Sequence, residues 1–154
     1  MRRSKLQGNL GSCDTMVYAV IDTNVLVSAL VTSNFELLTI SIMHAIPRKV
    51  ITPIYSRYLL DEYREVLSRD KFGIDSKTIE LMLRLFTDYG MSFEPSGGAC
   101  NFPDMDDVPI YMIAMETRDL NSYLVTGNIK NYLKVDYVVT PRMMIEILGR
   151  DCLY

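Results

Sequence analysis

Asp22, Glu62, Asp104 and Asp107 are the acids whose settings suggest chemistry rather than plain solvation. Asp22 ends the apolar run "VYAVI", and the polar pair Thr23 and Asn24 follows before an apolar pattern resumes in "VLVSAL". Glu62 stands amid the apolar stripe of "YSRYLLDEYREVLSRDKF", and Asp104 and Asp107 belong to the acidic loop "SGGACNFPDMDD". A second polar turn, Thr126-Gly127-Asn128, closes the apolar run "SYLV". Carboxylates gathered in one cleft repel one another and raise each other's pKa, which a protein tolerates where something positive binds. Oxygen ligands without histidine or cysteine suit Mg²⁺ or Mn²⁺ rather than zinc. Such ions orient a water, lower its pKa and stabilise both oxygens of an in-line displacement at phosphorus. Each feature also has a plainer reading: Asp22 as a helix cap, Glu62 as a solvated helix acid, the acidic loop as a complement to a helix dipole, and "TGN" as a simple turn. The chemical reading rests on their meeting in space.

Other chemistries find little support. The single histidine, His44, falls in "TISIMHAIP" on an apparently apolar helix face and is read as structural, so no histidine base or zinc pair is expected. Three cysteines, Cys13, Cys100 and Cys152, form no disulfide framework and suit a reducing cytoplasm. A net charge of −3 argues against a broad basic nucleic-acid footprint. An aspartyl-phosphate enzyme would need a second Asp two residues after the nucleophile, where "IDTN" has Asn24. Neither a G-x-G-x-x-G fingerprint nor a P-loop occurs.

Positioning these residues requires a particular order of elements. With 154 residues and 49% hydrophobic content, the chain suits one domain, read as residues 16–154 after a disordered leader, "MRRSKLQGNLGSCDT". That leader has no apolar segment of the secretory kind, and no apolar stretch is long enough to span a bilayer. "VYAVI", "RKVITP" (stopped at Pro53), "MSFEP", "SYLVT" and "DYVVT" read as strands. Helical patterns cover residues 25–30, 35–45, 55–72, 75–90, 108–120 and 141–150. Asp75 or Ser76 caps the fourth of these, and Gly90 ends it. The alternation predicts an α/β fold: three layers, α/β/α, around a doubly wound, mostly parallel sheet of about five strands. Ligands in such folds bind beyond the carboxyl ends of the strands at the switch in strand order, where Asp22 and Thr126 stand.

The blocks "VIDTNVLVSAL", "LLDEYREVL", "DMDDVPIYMIAM" and "YLVTGNIKNYL", in this order, resemble the PIN-domain family of metal-dependent nucleases, and more narrowly the branch described as toxin components of toxin–antitoxin systems. The resemblance runs over about residues 17–148. It implies a cytoplasmic Mg²⁺- or Mn²⁺-dependent hydrolase of RNA phosphodiester bonds, with an antitoxin protein and a homodimer as partners. Asp22, Glu62 and Asp107 match the catalytic, metal-binding acids, with Asp61 one residue too early, and Asp104 matches a further acid of this branch. Thr23, Asn24 and Thr126 match polar residues that orient ligands or water. The sequence departs from many members at Asn128, an acid elsewhere, which can still coordinate through its carbonyl oxygen but brings no charge. That departure motivates the alternative of a catalytically weak module binding RNA or protein. Lys130, Lys134 and Arg142, with Arg57 and Arg64, are candidate phosphate contacts. Tyr111, Tyr123 and Tyr132 are read as core or rim rather than base-stacking platforms. The apolar helices around residues 79–86 and 143–148 are the candidate dimer surfaces.

Overall fold

The computed structural model describes residues 16–31, 37–96, 108–132 and 135–149. The proposed leader, the three cysteines, the acidic loop with Asp104 and Asp107, and Lys134 lie outside the described residues.

Among the described residues, five strands and six helices follow in the order β1 (Val17–Ile21), α1 (Thr23–Val31), α2 (Leu37–Ala45), β2 (Ile51–Tyr55), α3 (Arg57–Leu67), α4 (Ser76–Tyr89), β3 (Met91–Ser92), α5 (Val108–Glu116), β4 (Tyr123–Val125), β5 (Val138–Val139) and α6 (Pro141–Leu148). The sheet order is β3-β2-β1-β4-β5, and every neighbouring pair is parallel. The expected three-layer α/β/α architecture is therefore observed. β1 is central, and Ala19, Val20 and Ile21 are fully buried, as a strand covered on both faces must be. The chain moves outward from β1 to β2 and β3, then crosses back to β4 on β1's other side. The switch point thus lies between the carboxyl ends of β1 and β4.

Helix starts follow their sequence signals. Ser56 accepts from the Leu59 amide at 3.0 Å and Asp75 from the Thr78 amide at 2.8 Å, so Asp75 is the cap of α4. Thr140 caps α6, with Pro141 in its first turn. Gly90 ends α4 for a steric reason: a Cβ there would lie 2.5 Å from the backbone oxygens of both Phe86 and Pro53.

Four elements differ from the sequence reading. Pro53 does not stop β2; it pairs with Ala19 inside the strand. The Tyr55 carbonyl accepts from the Phe93 amide on the β3 side, and Pro53, two residues earlier, faces the same way. There β3 has not begun, because Met91 pairs with Ile54, so the missing N–H withdraws nothing from the ladder. The helix expected over 108–120 ends at Glu116 and gives way to a 3₁₀ turn, Arg118–Leu120. At that break the Thr117 hydroxyl bonds the Ile113 carbonyl at 2.8 Å and the Ser122 hydroxyl at 2.6 Å. The third helix likewise ends at Leu67, ahead of a separate 3₁₀ turn, Asp70–Phe72. His44 is exposed in the last turn of α2 rather than packed on an apolar face. Among the described residues, no helix is long and apolar enough to cross a membrane.

Candidate active site

Asp22 follows β1 directly, and its backbone is fixed by the sheet and the helix. Its amide donates to the Val125 carbonyl of β4 at 2.9 Å, and its carbonyl accepts from the Val25 amide of α1 at 3.0 Å. The residue is 6% exposed. The carboxylate serves other side chains rather than the helix backbone. Oδ2 accepts from the Thr126 hydroxyl at 2.7 Å, the Tyr132 hydroxyl at 3.1 Å and the Asn24 amide at 3.3 Å. Among the described residues, none of these bonds goes to Oδ1. Three donors on one oxygen hold the carboxylate in a single orientation.

The "TGN" turn is part of the same clamp. The Thr126 hydroxyl donates to Asp22 and accepts from the Asn128 amide at 3.0 Å, using both its capacities. The Gly127 amide donates to Asn24 Oδ1 at 3.1 Å. Asn24 thus bridges Asp22 and the turn with its two ends.

Glu62 arrives from α3. Its neighbour Tyr63 is fully buried, donates its hydroxyl to the Ile21 carbonyl at 2.5 Å and packs against Phe86 with ring centroids 5.0 Å apart. Tyr63 therefore pins α3 to the carboxyl end of β1 and sets Glu62 beside the start of α1. There Glu62 Oε2 accepts from the Thr23 hydroxyl at 2.7 Å, whereas Asp61 is exposed. Burial first, then the carboxylates of Asp22 and Glu62, push the Tyr63 hydroxyl well above the ordinary tyrosine range. Both charges are felt at one buried atom.

The described ion pairs are Arg64–Glu80, Arg69–Glu65 and Arg84–Asp88, all on exposed side chains. Neither Asp22 nor Glu62 has a cationic partner among the described residues. The described residues also hold no group of three or more histidine, cysteine or acidic side chains suited to a metal. What they do supply is two carboxylates, each with one oxygen engaged by neutral donors. That donor chemistry fits a hard divalent cation and does not fit zinc.

The remaining candidates divide clearly. Asn128 and Lys130 are exposed beside the turn, and Arg142 is exposed in the first turn of α6. Arg64 is held by Glu80, and Arg57 is exposed at the start of α3, where its backbone amide bonds Glu94 at 2.8 Å. Tyr111 and Tyr132 are buried, as residues of a core should be. The contact from Tyr132 to Asp22 was not read from the sequence. Its available signal is chemical: a buried tyrosine needs a partner for its hydroxyl, and Tyr132 follows the "TGN" turn closely. On the candidate dimer helices, Ile79, Met82, Leu83 and Phe86 of α4 and Met144 and Leu148 of α6 face the core, leaving Leu81, Met143 and Ile147 exposed.

The family model described as PIN domain matches residues 18–130, most of the chain and all of the Asp22–Glu62–Thr126 constellation. No curated protein and no solved structure matches. PIN domains are generally nucleases that act on RNA and typically use divalent metals. With the switch-point acids and the matched span together, the chain belongs to the PIN-domain family.

Proposed function

We propose that this protein is a Mg²⁺- or Mn²⁺-dependent endoribonuclease, the toxin of a toxin–antitoxin pair, with Asp22, Glu62 and Asp107 as its catalytic metal-binding acids. The observation that carries the reading is the pair Asp22 and Glu62, set from separate elements at the sheet's switch point without a cationic partner among the described residues. A buried or half-buried carboxylate without such a partner is costly unless a cation binds.

Asp22 would hold the ion through Oδ1, its orientation fixed by Thr126, Tyr132 and Asn24. Glu62 would do so through Oε1, fixed by Thr23. Asp104, Asp107 and the Asn128 carbonyl complete the proposed ligand set from the loop before α5 and from the turn. A bound divalent ion there supplies an activated water and offsets charge at the phosphate. Lys130, Lys134 and Arg142 would meet the flanking phosphates. An antitoxin segment laid across the acids, a homodimer and a cytoplasmic location belong to the same reading and rest on the family resemblance.

The test is cleavage of a labelled RNA with Mn²⁺ and with chelator, using wild type, Asp22→Asn and Asp107→Asn. Cleavage that needs Mn²⁺ and disappears in both variants is the expected result. Metal-independent cleavage, or full activity in both variants, would refute the assignment. Because Asn128 adds no charge where many relatives have an acid, the second reading is a binding module. RNA binding without cleavage, together with no Mn²⁺ uptake in calorimetry at millimolar concentration, would select it.

A further inference from the structure

A groove of about 480 Å³ opens between α1, α2 and the start of α6, with Asn24, Ser28, Leu38, Gly127, Thr140 and Arg142 among its walls. That volume is in the range of small-ligand sites, about 300–1,000 Å³. The groove is continuous with the acid site. Asn24 donates to the Asp22 carboxylate on one side and accepts the Gly127 amide on the other, and both residues also line the groove. The groove therefore begins at a residue that touches Asp22.

Its lining is mixed in a way that suits a nucleotide. Ser28, Asn24 and Thr140 offer neutral polar groups, Leu38 and Val25 offer an apolar floor, and Arg142 stands exposed at the rim. Among the described residues, Arg142 takes part in no ion pair. In a chain of net charge −3 with carboxylates gathered next door, a polyanion needs local positive charge to settle beside them. The wall made by Thr140 and Arg142 lies beyond residues 18–130, the span that the PIN-domain model matches.

We propose that this groove is a nucleotide subsite, which holds the nucleotide next to the scissile phosphodiester of a single-stranded RNA, with Arg142 on its phosphate and Val25 and Leu38 against its sugar or base. The proposal rests on the nuclease reading above and names where its substrate continues past the acids.

The experiment measures the affinity of a fluorescent single-stranded RNA for the full chain in chelator, by anisotropy, across a salt series. Arg142→Ala should raise Kd about tenfold, the loss of one charge-assisted phosphate contact. It should also reduce the slope of log K against log salt by about 0.7, the value for one phosphate on a single strand. Ser28→Trp, which plugs the groove without changing charge, should raise Kd by about tenfold or more. Lys77→Ala, an equal charge change on exposed α4, should leave Kd within about twofold. A Kd that responds equally to Arg142→Ala and Lys77→Ala, or not at all to Ser28→Trp, overturns the subsite. Should either groove variant fail to fold, a ribonucleoside monophosphate titrated into wild type decides. Amide resonances of Ser28 and Arg142 should shift, and shifts confined to other residues refute the proposal. The two readings fail separately. RNA that binds through the groove but is never cut with Mn²⁺ sinks the nuclease and keeps the subsite. RNA that is cut while Kd ignores Arg142 does the reverse.

Discussion

Replacing Tyr132 by phenylalanine removes one hydroxyl and keeps the ring. That hydroxyl donates to Asp22 Oδ2 at 3.1 Å, beside Thr126 at 2.7 Å and Asn24 at 3.3 Å. A hydrogen bond to a charged group contributes about 1.5–3 kcal/mol net. Two donors remain on Oδ2, so the oxygen is not orphaned and the expected loss sits near the lower bound, about 1.5 kcal/mol. For a chain of this length that corresponds to a fall in Tm of about 3–6 °C. The larger effect falls on the metal, because losing a residue that orients a ligand costs roughly 10–100-fold in affinity. Calorimetric titration with Mn²⁺ measures it, and Tyr111→Phe is the matched control. The Tyr111 hydroxyl bonds that of Tyr137 at 3.2 Å, so its loss should lower stability and leave Mn²⁺ affinity intact. If both variants weaken Mn²⁺ binding equally, or Tyr132→Phe leaves it unchanged while Asp22→Asn abolishes it, the three-donor clamp does not set the ligand geometry of Asp22.

Gly90→Ala places a Cβ 2.5 Å from the backbone oxygens of Phe86 and Pro53; urea unfolding should show a loss of about 1–3 kcal/mol, and a neutral result would mean that β3 can shift freely. Stability should also fall at alkaline pH. The folded-state pKa of Tyr63 is raised by burial and the two acids, and that of Tyr111 is pushed up to about 12 by burial and then by Tyr137. Below about pH 10, the unfolded value, tyrosine ionisation does not affect folding. Above it the unfolded chain ionises first, and stability is lost as pH rises toward the folded values. Denaturant melts that stay unchanged from about pH 10 to 12 would contradict this. In chelator, Asp22→Asn should change stability by no more than about 1 kcal/mol, since its amide oxygen can take the place of Oδ2 while an unpaired charge disappears. Adding Mn²⁺ at a hundred times the wild-type Kd should then stabilise wild type by about 2.7 kcal/mol and the variant hardly at all.

The parts of the fold set by local pattern were legible in the sequence, and the parts set by contacts between distant residues were not. β1 reads as a strand because "VYAVI" is apolar on both faces, and the structure buries it so. Glu62 stood out by its place amid the helical stripe that turns Leu59 and Tyr63 inward, and the family resemblance set it above Asp61. Pro53 misled because the rule that proline ends a strand assumes a partner on both sides, and at that position β3 has not yet begun. The end of α5 was not legible because the Thr117–Ser122 hydroxyl contact that accompanies it forms only once the chain has turned.

Asp22 marks where reading by spacing stops. Its position before an apolar helix fits a cap and a ligand equally, and nothing within a few residues separates the two. What spacing could not show is that Thr126 and Tyr132, 104 and 110 residues further along the chain, bring their hydroxyls to one oxygen of this carboxylate. A carboxylate that served the helix would accept from backbone amides of its first turn. Here the amide of Val25 is taken by the backbone carbonyl of Asp22, so its side chain is released from that duty. All three donors on Oδ2 are neutral, so they fix the carboxylate without cancelling its charge, and Thr23 does the same for Glu62. Neutral donors satisfy the hydrogen-bonding needs of one oxygen without adding a compensating charge. Such an arrangement would keep two negative charges available and aimed, as the proposed metal site requires.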